Sequence, residues 1–411
     1  MKRRNWRYVA VAVAILGASG GGATLWMAHA AGESVLSTID TSHAGQPASA
    51  VVDERANRAL FAGFDRGVSL VDTRDGELVR AIGVGAPARL HTLAVATRAG
   101  HAFVVSMGRQ GSPGVPPGSS TVSMIDTRGG AVLRTTTLGI EAGPVAVDEI
   151  TGYVFVAATG PTKRDGTPRG PGAVSMIDAR SGALVHTVAV GLGPTAIAVD
   201  GRTGRAFVLN GQSDSVSVVD TSSGTVRRTV RVGRNPLAAA VDEVTGRVFV
   251  TSPGGWPAPG TVSVLDARTG HVLKTVTVGW SADTVAVDAR TGHVFLTGDR
   301  VVSMLDATSG AVLATIPVGG NPFAVAVDTR TGRAFITGTD GGVFAAIHHI
   351  APGSPPEWAG YIAVLDTRSG APLRTVRVGR DPRGVVVDER AGHAFVANFW
   401  GSSVSMLDAA R

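Results

Sequence analysis

The chain has 411 residues, 44% of which are hydrophobic, and a formal net charge of +6. It contains no cysteine, which excludes a disulfide framework and thiol chemistry. Four of the positive charges and no acidic residues lie in residues 1–30, so the rest of the chain carries a net charge near +2. A balance this small gives little support to nucleic-acid binding.

The first 30 residues show the order of features that is typical of a targeting segment. A basic stretch, residues 2–7, precedes an apolar stretch, residues 8–18, and residues 28–30 (Ala-His-Ala) fit a small-x-small cleavage site. The pattern predicts a signal peptide over residues 1–30, followed by a single domain over residues 31–411.

The alternative is that this segment stays attached. Residues 8–27 are long enough to form an uncleaved membrane anchor, although the glycines at 17 and 20–22 weaken them as a spanning helix. Both interpretations predict an exported protein, whether periplasmic, extracellular or at the cell surface. In the second interpretation residues 8–27 tether it to the membrane.

Two kinds of hairpin alternate over the rest of the chain. Residues 145–156 (VAVDEITGYVFV) are an example of the first, and residues 122–135 (VSMIDTRGGAVLRT) of the second. In both, a short strand ends at an Asp, and a Gly follows four positions later. The Asp can accept hydrogen bonds from turn amides, and the Gly suits the left-handed conformation that closes such a hairpin. The runs are too short for helices and predict an all-β protein.

The order and spacing of the hairpins predict a β-propeller. Four strands in a unit of about 40–45 residues make one blade, and we name the strands a to d from the axis to the rim. Eight a, b and c strands can be counted but only seven d strands follow them, while residues 34–39 form a strand without a blade. We therefore predict eight antiparallel blades, with this N-terminal strand as the outermost strand of the last blade. Seven blades is the alternative if the second copy, in which Ala96 replaces the Asp, is irregular.

Nearly all length variation falls in the connections between b and c strands. These connections share one face with the d–a loops, and we call it the top face. Variable loops on one face of a uniform scaffold are typical of binding, and aromatic side chains with cations suit an amphipathic, anionic or carbohydrate-like ligand. The alternative is that the aromatic residues only pack the loops onto the blades. The candidates in these loops are Trp256, Trp280, His348, His349, Trp358 and Trp400.

A second candidate set lies at the upper ends of the a strands, around the mouth of the central channel. Four of its members stand five residues before the repeat Asp, or before Ala96 in the second copy. Such a ring of polar groups can hold a small ligand or a cation, and the alternative is that it holds structural water. The set comprises Arg89, His91, Thr195, Asn235, Asp283, Asn321, Asp381 and Arg383.

Motifs of known chemistry are absent from residues 31–411. This part of the sequence contains no H-E-x-x-H, C-x-x-C-H or G-x-S-x-G, and the G-x-S-x-G match at residues 17–21 lies in the predicted signal peptide. Of its 32 acidic residues, 15 are the repeat Asp and are assigned to turns. We therefore predict no catalytic residue and no metal site, and the sequence identifies no cofactor.

The repeat resembles the YVTN-type, or YncE-like, β-propeller family. The family word is represented by residues 207–210 (FVLN) and 395–398 (FVAN), and the V-S-M-I-D and T-I-P-V-G-G-N-P frames also match, over essentially residues 32–411. The resemblance implies an exported or surface-associated propeller, for which seven blades are usual. Because these motifs build the scaffold, they carry over no site.

Together these observations predict a non-enzymatic, extracytoplasmic binding or scaffold protein that uses its top face. The partner would be an envelope protein, a glycan or a small anionic ligand, and the protein itself a monomer. Arginines on the d strands are interpreted as a guard against edge pairing, with a polyanion-binding rim as the alternative, so nucleic acid is disfavoured without being excluded. The alternative function is a lactonase-like hydrolase or lyase at the channel mouth, using His91, His348, His349, Glu357 or Asp283.

Overall fold

The computed structural model describes residues 35–64, 67–84, 88–108, 119–138, 141–160, 170–254, 258–279, 281–339 and 360–410. In these ranges the chain forms 32 strands, which pair into eight four-stranded antiparallel sheets. The sheets are the blades of an eight-bladed β-propeller, so the predicted count of eight is confirmed. The irregular second copy forms an ordinary blade. None of the described residues belongs to a helix that could cross a membrane.

The strands of blades 1 to 4, with β1 preceding them, are β1 (Ser37–Asp40), β2 (Pro47–Asp53), β3 (Arg58–Gly63), β4 (Val68–Asp72), β5 (Leu78–Ile82), β6 (Ala88–Ala96), β7 (His101–Gly108), β8 (Ser120–Asp126), β9 (Val132–Leu138), β10 (Glu141–Asp148), β11 (Tyr153–Thr159), β12 (Ala173–Asp178), β13 (Leu184–Ala189), β14 (Pro194–Asp200), β15 (Arg205–Asn210), β16 (Ser215–Asp220) and β17 (Val226–Arg231). The strands of blades 5 to 8 are β18 (Ala238–Asp242), β19 (Arg247–Ser252), β20 (Thr261–Asp266), β21 (Val272–Thr277), β22 (Val285–Asp288), β23 (His293–Thr297), β24 (Val301–Asp306), β25 (Val312–Pro317), β26 (Asn321–Asp328), β27 (Arg333–Thr339), β28 (Gly360–Asp366), β29 (Pro372–Val378), β30 (Pro382–Asp388), β31 (His393–Asn398) and β32 (Ser403–Asp408).

The N-terminal strand closes the ring as predicted. β1 pairs antiparallel with β32, so that Ile39 lies opposite Val404, and blade 8 has the strand order β1-β32-β31-β30. Ile39 is 7% exposed and packs on Phe61 and Met406. Blade 8 therefore combines strands from the two ends of the fold. β1 covers the edge of β32, which would otherwise be unpaired.

The hairpin turns have the geometry that their residues predict. At the turn Gly of both hairpin kinds φ lies between +65° and +77°, and Asn57 takes the same place in blade 1 with a φ of +52°. The repeat Asp accepts turn amides: Oδ1 of Asp148 accepts from the N–H of Ile150 at 2.8 Å and from that of Thr151 at 3.2 Å. The repeat carboxylates thus act in turn formation.

The core lies between the blades. Each b strand contributes one phenylalanine with no exposed surface, and the rings pack against residues of the neighbouring blade, as Phe61 of blade 1 does with Phe395 of blade 8 at a centroid distance of 6.2 Å. The eight are Phe61, Phe103, Phe155, Phe207, Phe249, Phe295, Phe335 and Phe395. Because each blade buries its faces only against its neighbours and the ring is closed, we expect the blades to unfold together.

Cations on the d strands connect neighbouring rims. The Arg80 guanidinium donates to the carbonyl of Gly129 in the next blade at 3.0 Å, and the Lys274 ammonium donates to that of Ser309 at 3.0 Å. Arg134 and Arg374 do the same for Ser181 and Asp408. This contact between blades is a role that neither interpretation of the d-strand arginines included.

One repeat carboxylate makes the stability of the ring depend on pH. Asp288 has no exposed surface, and burial raises the pKa of its carboxyl from 3.8 to about 7, although the N–H groups of Arg290 and Thr291 donate to it. A raised pKa in the folded state favours the protonated form. The contribution of Asp288 to the free energy of unfolding is therefore complete below pH 4 and is lost as the pH rises to about 7.

We expect Asp288→Asn to be more stable than the parent protein at pH 8. In the parent protein, Asp288 should make the free energy of unfolding fall by up to about 1.4 kcal/mol per pH unit between pH 4 and 7. This fall should be absent from the variant. Urea unfolding at several pH values measures both. Asp72→Asn is the control, because hydrogen bonds from Arg74 keep the pKa of Asp72 well below its usual range, so that this variant should lose stability at pH 8. Equal shifts of the two variants at pH 8 would contradict the assignment.

Candidate functional site

Three of the polar residues predicted around the channel mouth, His91, Thr195 and Arg383, occur at β-bulges. The pairing of a and b strands slips by one residue between Pro194 and Ala196, between Pro322 and Ala324 and between Pro382 and Gly384. The residue left out of register is the one five positions before the repeat Asp. A bulge redirects its side chain away from the regular alternation of the sheet, so the same position is redirected in blade after blade.

In blade 8 this position is Arg383, and its side chain is held in place. Asp381 has a φ of +53° and no exposed surface. Its carboxylate accepts from Nε of Arg383 at 2.9 and 3.0 Å and forms an ion pair with Nη2 at 2.9 Å. The Arg383 side chain remains 33% exposed. A fork held by a buried carboxylate is pre-organised and still presents donors to solvent.

Aromatic rings surround the guanidinium. The Arg383 guanidinium carbon lies 5.2 Å from the ring centroid of Phe323 in blade 7 and 5.4 Å from that of Phe399. Phe399 makes edge contacts with Phe64 of blade 1 at 6.0 Å and with Trp400 at 5.3 Å. Trp400 is 52% exposed. We call Phe64, Phe323, Asp381, Arg383, Phe399 and Trp400 the blade 7–8–1 cluster.

Backbone hydrogen bonds fix the loops that carry this cluster. The N–H of Phe399 donates to the carbonyl of Asp381 at 2.9 Å, which ties the b–c loop of blade 8 to its d–a loop. In blade 1 the N–H of Phe64 donates to the carbonyl of Gln46 at 2.9 Å. The cluster thus combines strand and loop residues from three blades, with one cation and one large exposed ring facing solvent, an arrangement suited to binding planar or anionic groups.

Three other predicted mouth residues form hydrogen bonds to loop residues near them. The hydroxyl of Thr195 donates to the carbonyl of Pro236 at 2.7 Å and so links blade 4 to the loop before blade 5. Asn235 has a φ of +49°, and its N–H donates to Asp214 at 2.8 Å. Asp283 accepts from the hydroxyl of Ser281 at 2.8 Å. Thr195 belongs to blade 4, across the ring from Arg383, so the structure does not bring the predicted set together as one site.

The remaining predicted residues divide into two groups. Asn321 begins β26 and is half-buried, while Arg89 and His91 lie on β6, where the structure describes only the backbone. Those outside the described residues are Trp256, Trp280, His348, His349, Glu357 and Trp358. In the described ranges no three His, Asp or Glu side chains are grouped so that they could hold a metal ion.

Sequence reasoning found part of the blade 7–8–1 cluster and missed part. Asp381, Arg383 and Trp400 were predicted, whereas Phe64, Phe323 and Phe399 were not. Phe323 stands at the same bulge position as Arg383, one blade earlier, so comparing that position in every blade without regard to polarity would have found it. No comparable sequence pattern indicated Phe64.

Comparisons with known proteins agree on the fold. No protein-family model matches the chain, and no curated protein matches it in sequence. The computationally designed protein Ika8 has a TM-score of 0.67 and 16% identity, over 92% of this chain and 100% of its own. BamB from Moraxella catarrhalis has a TM-score of 0.62 and 14% identity, over 90% and 98%. Hydrazine synthase from Kuenenia stuttgartiensis has a TM-score of 0.56 and 14% identity, over 79% and 96%. At these identities the similarity is one of fold, and the chain is a β-propeller.

Proposed function

We propose that this chain is an exported, non-enzymatic binding or scaffold protein of the YncE-like propeller type, which holds its ligand or partner on the top face. The observation that carries the proposal is the blade 7–8–1 cluster. Its cation is already oriented by Asp381 and flanked by two rings, so a ligand would pay little ordering cost there. The leader-like residues 1–30 support export.

The chemistry of the cluster selects the class of ligand. Arg383 offers donors to a carboxylate, phosphate or sugar hydroxyl, and the exposed ring of Trp400 offers an apolar face beside it. Because Asp381 neutralises much of the Arg383 charge, the surface favours an amphipathic ligand over a highly charged polymer. A glycan, a small aromatic acid or a peptide segment with an acidic and an aromatic side chain meets these demands.

A thermal-shift screen tests the proposal. Protein recovered from the extracytoplasmic fraction, with its N-terminus at residue 31, is mixed with short glycans, aromatic acids, lactones and quinones. A ligand at about 100 times its Kd adds about 2.7 kcal/mol to the folded state, which raises the melting temperature measurably. We expect Trp400→Ala and Arg383→Gln to abolish the shift caused by such a ligand.

The matched control is Arg380→Gln, which removes an exposed arginine from the same d–a loop without touching the cluster. It should keep the shift. A ligand whose shift survives in both Trp400→Ala and Arg383→Gln binds elsewhere and would contradict the site. Turnover of a lactone in the same screen, lost in Arg383→Gln, would support the hydrolase alternative instead.

A further inference from the structure

The face opposite the cluster is flat and uniform. It is formed by the a–b and c–d turns, and we call it the bottom face. In each blade four residues separate the a strand from the b strand, as between Asp148 and Tyr153, and five separate c from d in the seven blades where one turn joins them. Because equal turns on equivalent strands end at equal heights, their tips lie in one plane around the axis. This is the opposite of the top face, where loop lengths vary.

Exposed arginines occupy the tips of these turns in two rings. The inner ring stands two residues after the end of each a strand, and the outer ring two residues after the end of each c strand. Among the described residues the inner ring has Arg55, Arg98, Arg202, Arg290, Arg330 and Arg390, and the outer ring has Arg74, Arg128, Arg180, Arg268 and Arg368, all of them exposed.

Most acidic residues of the same turns lie deeper, but Asp75 and Glu77 in the c–d turn of blade 1 are exposed. The seven Asp residues that end a strands are at most 1% exposed and are bound to turn amides. The nearby glutamates are half-buried and connect blades: Glu389 accepts from the N–H and the hydroxyl of Thr329 at 2.6 Å each, and Glu54 accepts from the N–H of Glu389 at 2.9 Å. Counted from the last residue of each a and c strand through the first residue of the next strand, the described part of the bottom face holds 21 carboxylates and 15 arginines, but among its exposed side chains the arginines outnumber the carboxylates by 11 to two.

Two blades replace the inner-ring arginine by an aliphatic residue. Ile150 in blade 3 is 58% exposed and Val244 in blade 5 is 67% exposed, although the turns around them are polar. Contact with water does not stabilise a large aliphatic side chain at an exposed turn tip. Set among cations in one plane, they are typical of surfaces that insert a few side chains into a lipid interface.

The chain also enters the fold on this side. β32 runs from the top face to the bottom face, where Asp408 ends it, and β1 pairs antiparallel with it. β1 therefore starts near the bottom edge of blade 8, where Leu36 is 54% exposed. Residues 1–34, which include the apolar stretch 8–27, join the fold at this edge.

We propose that the bottom face docks on the surface of an anionic lipid bilayer, with the inner and outer arginine rings against the headgroups and with Ile150 and Val244 at the interface. A planar ring of cations fits a planar surface, whereas a nucleic-acid duplex would touch only a strip of it. Each arginine close to an anionic bilayer contributes about 1 kcal/mol, and the attraction weakens as salt rises. Docking this way turns the top face, and the blade 7–8–1 cluster with it, away from the membrane.

Vesicle sedimentation tests the docking with residues 31–411, which contain all 32 described strands and lack the apolar stretch. We expect binding to phosphatidylcholine vesicles that contain about a third phosphatidylglycerol, and at least about tenfold weaker binding to phosphatidylcholine alone. The triple variant Arg55→Gln, Arg98→Gln, Arg290→Gln should bind the anionic vesicles at least about tenfold more weakly. Ile150→Ser with Val244→Ser should reduce the binding that remains at high salt.

The matched control is Arg231→Gln, Arg234→Gln, Arg380→Gln, which removes the same charge from exposed positions at or near the top face. It should bind as the parent protein does. Equal losses in the two triple variants, or no sedimentation with anionic vesicles at low salt, would overturn the proposal. A third result would also overturn it: binding to a single-stranded oligonucleotide that is tighter than binding to vesicles, together with no effect of the Ile150 and Val244 changes. That result would assign the face to a soluble polyanion.

Discussion

Phe335→Ala is expected to lower the free energy of unfolding by about 3–5 kcal/mol, because the cavity cannot close in a core shared by two blades. Phe335 has no exposed surface and packs with Ile362 and Val364 of its own blade and with Val385 and Val396 of blade 8. The loss should appear as a lower urea midpoint for the whole ring in a single transition.

Leu373→Ala is the control for this variant. Leu373 lies on the outer strand β29 and is 50% exposed, so its truncation should change the free energy of unfolding by less than about 0.5 kcal/mol. A Phe335→Ala protein as stable as Leu373→Ala would show that the blade interface is not the source of stability. A separate early transition for blades 7 and 8 would show that the ring does not unfold as one unit.

Removal of β1 is the second large effect we expect. A chain that begins at residue 41 loses the backbone hydrogen bonds from β1 to β32 and the burial of Ile39, together at least about 4 kcal/mol. It also leaves β32 as an exposed edge, which is a template for pairing with another chain. We expect a lower melting temperature and self-association, measured by calorimetry and size-exclusion chromatography.

The control is a chain that begins at residue 35 and keeps β1 whole. It should remain monomeric and melt as the longer protein does. If the chain beginning at residue 41 is monomeric with an unchanged melting temperature, then β1 does not close the ring in solution. Addition of a peptide with the sequence of residues 35–41 should partly restore the shorter chain, since the missing strand pairs through its backbone.

The composition of the blade 7–8–1 cluster shows what sequence patterns miss. Arg383 and Asp381 were predicted because they break the apolar run of a strands, and Trp400 because it is aromatic in a top-face loop. Phe323 looks like an ordinary core residue in the same run. Only the bulge and the neighbouring blade place its ring over a guanidinium. The partner of a side chain in a propeller often lies in the next blade, one full repeat away in sequence.

The bottom face also shows an arrangement that sequence patterns do not reveal. The arginines of this face were not singled out from the sequence, and nothing in a single hairpin shows that the carboxylates of the a strands lie beneath them. That arrangement follows from the turn: the Asp accepts amides at the strand end, while the residue two positions on projects from the tip. Repeated around an axis, this local difference in depth becomes a charged plane.

The sequence by itself determined the all-β fold, the eight blades, the turn geometry and the closing strand, because each depends on residues close together in the chain or on the count of a repeat. In this chain every Asp four residues before a Gly lies in a hairpin turn, and an unpaired strand at one end completes the blade that lacks one at the other. Only the tertiary structure decided which side chains meet across blades, as Arg383 does with Phe323. Such contacts depend on the curvature of the ring and on bulges that redirect side chains, and neither is encoded in the spacing of a single repeat.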